Sequence, residues 1–195
     1  DGAKGGNVTV SGTAATLTGG AGAGASVLVG NGGGRIQSNS DAANGAITGD
    51  VSLTTSSGAI VMNASGAAAD NFVQIGAGGR SSVGTTNAVT SKTTVTTAGG
   101  GLTMDAANAA YIQIGAGGLA ADALSYSGDV LVNVAGVLSM SGGSGSNRYA
   151  QIGNGGTGND STKSGNTTVT ATSLGLTTGS GAGANVLIGL GGGMD

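Results

Sequence analysis

Short stretches in which apolar and polar residues alternate recur along this chain, and runs rich in glycine separate them. Alternation with a period of two predicts half-buried β-strands, and Gly-rich runs predict tight turns between them. The clearest stretch is an apolar-x-apolar-Gly-x-Gly-Gly motif that occurs five times, with its last apolar residue at Val29, Ile75, Ile114, Ile152 and Ile188. The pattern therefore predicts an all-β protein built from an internal repeat.

Two further strand signals fall between successive copies of this motif. The first lies at Val8-x-Val10, Val51-x-Leu53, Thr93-x-Val95, Val130-x-Val132 and Thr167-x-Val169. The second lies at Ala15-x-Leu17, Ile60-x-Met62, Leu102-x-Met104, Leu138-x-Met140 and Leu174-x-Leu176. Since the Gly-rich motif returns at fairly regular intervals, averaging about 39 residues, we expect residues 1–195 to form a single repetitive domain of five repeats.

The repeat length is compatible with two geometries of a parallel β-helix, or β-solenoid. The spacing from Val10 to Val29 recurs from Val95 to Ile114 and from Val169 to Ile188. This spacing favours two coils of about 19 residues in each repeat of about 39, hence about ten coils and a rod about 50 Å long. The alternative is one coil of about 38 residues per repeat, giving about five coils. In both geometries the inward Val, Ile, Leu and Met residues stack into a continuous core.

The composition agrees with strands throughout and narrows the chemistry. Gly makes up 44 of 195 residues, and Pro, which would remove ladder donors, is absent. The chain has no His and no Cys, which excludes Ser-His-Asp and Cys-His catalysis and the usual zinc sites. The six basic residues are scattered and the net charge is −3, so we expect no nucleic-acid partner. We also expect no membrane span, because no apolar run reaches about 20 residues.

Paired carboxylates could still serve a glycosidase or a pectate-lyase-like enzyme, and the candidates are Asp50, Asp70, Asp105 and Asp129. Asp50 and Asp129 occupy the same place, in Gly-Asp-Val, which indicates a repeated turn residue. We therefore expect no enzyme and no cofactor. The nearest approach to a calcium-binding Gly-Gly-x-Gly-x-Asp nonapeptide is Gly158-Asn159-Asp160; solvated turns are the alternative interpretation.

Aromatic and glutamine residues recur at fixed places before the Gly-rich runs. Three residues before the last apolar residue stand Phe72, Tyr111 and Tyr149, and one residue before it stand Gln74, Gln113 and Gln151. By alternation both sets point outward and form stripes on one face. These stripes are either a lateral or adhesive surface, or a ladder that shields strand edges through Gln–Gln hydrogen bonds. The first and last repeats differ, with Ser26 and Asn185 at the aromatic place and Leu28 and Leu187 at the Gln place.

Threonine-rich strands raise a further binding alternative. Thr93–Thr97 and Thr167–Thr170 contain Thr-x-Thr-like runs, and flat Thr-x-Thr arrays on solenoids bind ice. Because these runs do not recur in every coil, we expect such an array to be interrupted.

The two ends of the chain fit the same repeat. Joining 189–195 to 1–10 gives a junction equal in length to the segment 153–169, with Lys4 aligned on Lys163 and Asn7 on Asn166. We therefore expect the chain to be one unit of a longer array, joined covalently or head to tail. Open solenoid ends favour such contacts, because they expose unpaired strand edges.

Stretches such as Gly49–Leu53 followed by Gly58–Met62, and the segment Tyr149–Gly156, resemble repeats of filamentous-haemagglutinin-like adhesins and autotransporter passengers. The resemblance implies a right-handed parallel β-helix, export to the bacterial cell surface, and a role in adhesion, biofilm or surface fibres. We therefore expect a structural segment of an extracellular fibre or adhesin stalk that associates with itself, head to tail and laterally. The alternative is a binding module that displays a site for a glycan, a receptor or ice on one solenoid face.

Overall fold

The computed structural model describes residues 3–22, 24–32, 45–64, 71–79, 87–107, 111–118, 123–146, 148–156 and 161–191. These residues form nineteen β-strands in four sheets, and every pairing is parallel. The all-β solenoid predicted from the alternating pattern is therefore confirmed.

Each sheet is built from strands of successive repeats, with no more than one strand from any repeat. Sheet I contains β1 (Val8–Gly12), β5 (Val51–Thr55), β9 (Thr93–Thr97), β13 (Val130–Val134) and β17 (Thr167–Thr170). Sheet II contains β2 (Ala15–Gly19), β6 (Ile60–Ala64), β10 (Leu102–Asp105), β14 (Val137–Ser141) and β18 (Ser173–Thr177). Sheet III contains β3 (Val27–Val29), β7 (Phe72–Ile75), β11 (Tyr111–Ile114), β15 (Tyr149–Ile152) and β19 (Val186–Ile188). Sheet IV contains β4 (Ile47–Thr48), β8 (Ala88–Thr90), β12 (Ser125–Ser127) and β16 (Thr162–Lys163).

The strands stack as five levels, each of which visits the sheets in turn. Level 1 holds β1–β3 and joins sheet IV through a bridge from Lys4 to Ile47. Levels 2 to 5 hold β4–β7, β8–β11, β12–β15 and β16–β19. A stack of five levels is about 24 Å high, at about 4.8 Å per level.

The strand register corrects the expected coil length. Val10 pairs with Leu53, and Ile114 pairs with Ile152, so each residue lies one whole repeat away from its partner. The coil of about 19 residues is therefore wrong and the alternative of about 38 residues is right. The rod is consequently about half as long as expected. Val95 and Ile114, half a repeat apart in the sequence, lie on sheets I and III of the same level. They share an apolar pattern because both walls face one core.

That core lies between sheets I, II and III and runs through the levels. Its central columns are fully enclosed, for example Ile60, Leu102 and Leu138 on sheet II and Ile75, Ile114 and Ile152 on sheet III. Each such side chain contributes about 1.5–3 kcal/mol by leaving water. A second cluster joins sheet IV to the Gly-rich turns through Ile47, Ala77, Val89, Ala116, Ala123 and Tyr126.

Candidate functional site

The aromatic residues singled out in the sequence stack along the outer side of sheet III. Phe72, Tyr111 and Tyr149 are directly paired in the parallel register. The ring centroids of Phe72 and Tyr111 are 5.0 Å apart with planes inclined by 2°, and those of Tyr111 and Tyr149 are 5.2 Å apart at 7°. Leu28 of level 1 packs against the same column. The predicted ladder of rings is therefore present.

Gln74, Gln113 and Gln151 form a second column beside the rings. The Gln113 Nε2 donates to the carbonyl of Ala116 at 3.1 Å in its own turn, and to Gly153 at 3.1 Å and Gly155 at 2.8 Å in the next level. Gln74 Nε2 repeats this arrangement one level earlier, with Ala77, Gly115 and Gly117. Each amide therefore ties the glycine turn of one level to the turn of the next.

All six of these side chains are buried, which corrects the expectation that they lie on an exposed face. The strands β7, β11 and β15 are enclosed on both sides, so outward orientation does not mean contact with solvent. The glutamine amides donate to turn carbonyls, whereas the ladder alternative of the sequence analysis expected Gln–Gln hydrogen bonds. Within the described part of the chain, the two columns act as internal supports. They could form a lateral contact only if the residues that bury them moved away.

The recurring acidic position marks the corner between sheets IV and I. The Asp50 N–H donates to Asn7 Oδ1 at 2.9 Å, the Lys92 N–H to Asp50 Oδ1 at 3.1 Å, and the Asn166 N–H to Asp129 Oδ1 at 2.8 Å. We call this set of residues the corner ladder. The Asp50 and Asp129 carboxylates stand two levels apart, about 10 Å, and each holds the backbone of the next level. This geometry agrees with the repeated turn residue predicted for them.

The other candidate carboxylates are distributed differently. Asp105 lies on sheet II, where its Oδ1 accepts from Ser141 Oγ at 2.8 Å and from the Ala107 N–H at 3.0 Å. Asp70 and the Gly158–Asp160 turn lie outside the described residues. Within the described ranges no three His, Cys, Asp or Glu residues come together as a metal-binding group.

The observed coil length aligns the outward positions of sheet I across the five levels. The outward positions of sheet I form two columns of partly or fully exposed side chains, in strict register across the five levels. One column is Thr9, Ser52, Thr94, Leu131 and Thr168, and the other is Ser11, Thr54, Thr96, Asn133 and Thr170. The signal is visible in the sequence as a hydroxyl-x-hydroxyl pair, but only the correct coil length aligns the copies.

The two ends of the stack differ from its middle. In sheet II the column Ile60, Leu102 and Leu138 is fully buried, whereas its level 5 member, Leu174, is 52% exposed. Leu176, below Met140, is 47% exposed. At level 1, Val10 of sheet I is 40% exposed. These inward apolar side chains thus become accessible where no further level covers them, whereas Leu17 of level 1 stays buried.

Comparison with known proteins gives no identification. No family model matches the chain, no curated protein matches it, and no solved structure matches it. The adhesin resemblance therefore rests on the sequence repeats and on the solenoid fold that they imply. None of the described residues forms a helix long and apolar enough to cross a membrane.

Proposed function

We propose that this chain is a non-enzymatic structural segment of an extracellular fibre or adhesin stalk, in which solenoid units continue end to end. The observation that carries the proposal is the pair of exposed apolar side chains on strand β18 at level 5. Leu174 and Leu176 occupy inward positions that are buried in the levels before them. Covering each would contribute roughly 0.8–1.5 kcal/mol, about half the value of a full burial.

The backbone supports the same continuation. Strands β17, β18 and β19 each pair with one neighbour only and leave the other edge open. Strands β1, β2 and β3 do the same at the opposite end. Open parallel edges are templates for a further strand. A unit placed on level 5 would supply three such strands in the spacing that the stack already uses.

The side chains at the two ends also match in register. Continuing the stack by one level sets Val10 of a following unit on Val169, and Leu28 on Leu187. The alignment puts Leu on Leu at the place where the interior has glutamine. It also sets the Asn7 N–H of the following unit against Asn166 Oδ1, which extends the corner ladder. The interface is heterologous, since different surfaces meet, and such interfaces propagate.

Location at the bacterial surface belongs to the same proposal, and its support is the resemblance of the repeats to adhesin and autotransporter passengers. The carboxylates that could have served catalysis hold backbone and hydroxyl groups instead, at Asp50, Asp105 and Asp129. A role as a regular scaffold agrees with this use of the polar side chains.

The test replaces Leu176 by Asp and compares it with Val137→Asp. Both residues are about half exposed, but Leu176 lies on the end of the stack and Val137 on the outward side of sheet II. We expect the wild type and Val137→Asp to associate with rising concentration in sedimentation velocity, and Leu176→Asp to stay a monomer. Negative-stain images of the associated forms should show rods with an axial repeat of about 24 Å per unit.

Two results would count against the proposal. If the wild type sediments as a monomer at all concentrations, end-to-end association between separate chains is excluded. Equal association of both variants would place the contact elsewhere. Circular dichroism of each variant establishes that the solenoid is intact before either result is interpreted.

A further inference from the structure

We propose that the outer face of sheet I binds ice. The face, defined by the ten residues of the two columns described above, carries eight hydroxyl groups at matching positions on four of the five levels. It is separate from the stack ends that carry the proposed function, and it points sideways from the solenoid. The fibre proposal and this one can therefore fail independently.

The parallel register sets the spacing of the array. Side chains two residues apart on one strand, such as Thr94 and Thr96, are separated by about 6.6 Å, and neighbouring levels by about 4.8 Å. Because no residue is inserted or lost within the paired strands, the columns run without a slip from β1 to β17. These two repeats lie close to the oxygen repeats on faces of hexagonal ice, so bound waters would match the crystal in two directions.

The hydroxyl groups of the array are available to water. None of its Ser and Thr side chains makes a hydrogen bond to another group of the protein, as far as the described residues show. Threonines of the same strands behave differently at the corner with sheet II: Thr55 Oγ1 donates to the Gly58 carbonyl at 2.7 Å, and Thr97 Oγ1 to the Gly100 carbonyl at 2.5 Å. The outward hydroxyls thus retain their donors and acceptors for a ligand.

The chemistry of the face favours a water lattice over a sugar or a charged partner. None of its ten residues is charged. All four aromatic residues of the chain, Phe72, Tyr111, Tyr126 and Tyr149, are buried, so no aromatic ring is offered for stacking against a sugar. Threonine combines a hydroxyl with a methyl group on a stiff β-branched side chain. A preorganised array of this kind loses little conformational freedom when waters order on it.

Level 4 interrupts the array and provides a gain-of-function test. Leu131 and Asn133 stand where the other levels carry hydroxyl residues. Replacing both by Thr would complete two columns of five. The double variant should therefore act on ice more strongly than the natural sequence, an outcome that a purely structural role for these threonines does not produce.

The experiment measures thermal hysteresis and ice-crystal shaping with the full chain in a nanolitre osmometer. We expect the wild type to show hysteresis, Leu131→Thr/Asn133→Thr to show more at equal concentration, and Thr94→Tyr to lose it. The matched control is Thr103→Tyr, on the exposed outer side of sheet II, which should equal the wild type. Circular dichroism and thermal unfolding establish that all four proteins are folded.

Absence of hysteresis in the folded wild type and double variant overturns the proposal. So does hysteresis that Thr94→Tyr and Thr103→Tyr reduce equally, because the active surface would then lie elsewhere. Retention on an insoluble polysaccharide without any effect on ice would assign the face to a glycan and overturn it as well. Repeating the measurement with Leu176→Asp separates the effect of end-to-end assembly on ice from that of the outer face of sheet I, because the change leaves this face intact.

Discussion

Among single residues, the first glycine of the Gly-x-Gly-Gly turn is restricted twice by the fold in levels 1 to 4. Gly115 has φ +132°, in the region that favours glycine, and an added Cβ would collide with the carbonyl oxygen of Gly153 in the next level. The equivalent Gly189 in level 5 has φ +135° but no atom within 4 Å of an added Cβ. Both glycines thus share the same backbone conformation, but only Gly115 lies close to the backbone of a neighbouring level.

This pair separates the two restrictions by measurement. Gly189→Ala should lose on the order of 1–3 kcal/mol of unfolding free energy from backbone strain alone. Gly115→Ala should lose more, because two levels must move apart to admit the methyl group. Urea unfolding of both variants measures the difference, and equal losses would show that close packing of the turns does not matter. In an associated fibre, Gly189→Ala would also obstruct the following unit.

The sequence reveals part of this residue-scale design. The repeated place of Asp50 and Asp129 predicts a turn residue, and both accept backbone N–H groups there. The partners of the glutamines could not be predicted in the same way. Gln113 reaches the carbonyls of Gly153 and Gly155, in a different level, and that neighbour is known only once the coil length is known.

For individual strands, the decisive difference lies between sheets I and III. Strand β9 alternates buried and half-buried residues, whereas every residue of β11 is buried. Alternation correctly separates inward from outward side chains in both strands, but it does not tell whether the outer side is covered. The unbroken run of large residues in Tyr111–Ile114 was the available signal, since strands enclosed on both sides have near-continuous apolar sequences.

The burial of the rings changes what a substitution at Tyr111 should do. Tyr111→Ala should cost about 3–5 kcal/mol of unfolding free energy, as other buried aromatic truncations do. Tyr111→Phe keeps the stack on Phe72 and Tyr149 and loses the hydroxyl bond to Gln74 Oε1 at 3.3 Å, so it should cost about 0.5–1.5 kcal/mol. Chemical denaturation measures both. An Ala variant no less stable than the Phe variant would contradict the buried ladder.

On the scale of the whole molecule, one repeat is one turn of the solenoid. The sequence predicts the solenoid, its five repeats and the strands of sheets I, II and III, because all of these follow from local alternation and from turn residues; it does not predict the strands of sheet IV. It does not distinguish one coil per repeat from two, because strands on facing walls, such as those of Val95 and Ile114, carry the same apolar pattern. Only the pairing of Ile114 with Ile152 decides between the two lengths.

Deletions test the coil length directly. Removing residues 115–152 joins Ile114 to Gly153 and takes out one complete level, so the remaining strands keep their register. We expect a folded solenoid of lower stability and smaller denaturant m-value, since repeat stabilities are roughly additive. Removing only residues 115–133 takes out half a repeat, including β12 and all of β13 except Val134, and leads from sheet III to sheet II. The shorter deletion should fold poorly because level 4 then lacks its strands of sheets IV and I; a cooperative, native-like product would support two coils per repeat instead.

The corner ladder gives the solenoid a direction. Asn7, Asp50 and Asp129 each accept a hydrogen bond from the level that follows, and none is seen to accept one from the level before. Within the described chain, one tip of the stack therefore presents a free acceptor at Asn166, and the other a free N–H at Asn7. Two like tips cannot satisfy each other, so a two-fold dimer through the ends is disfavoured. A fibre of such units would be vectorial, with two unlike tips that elongate at unequal rates.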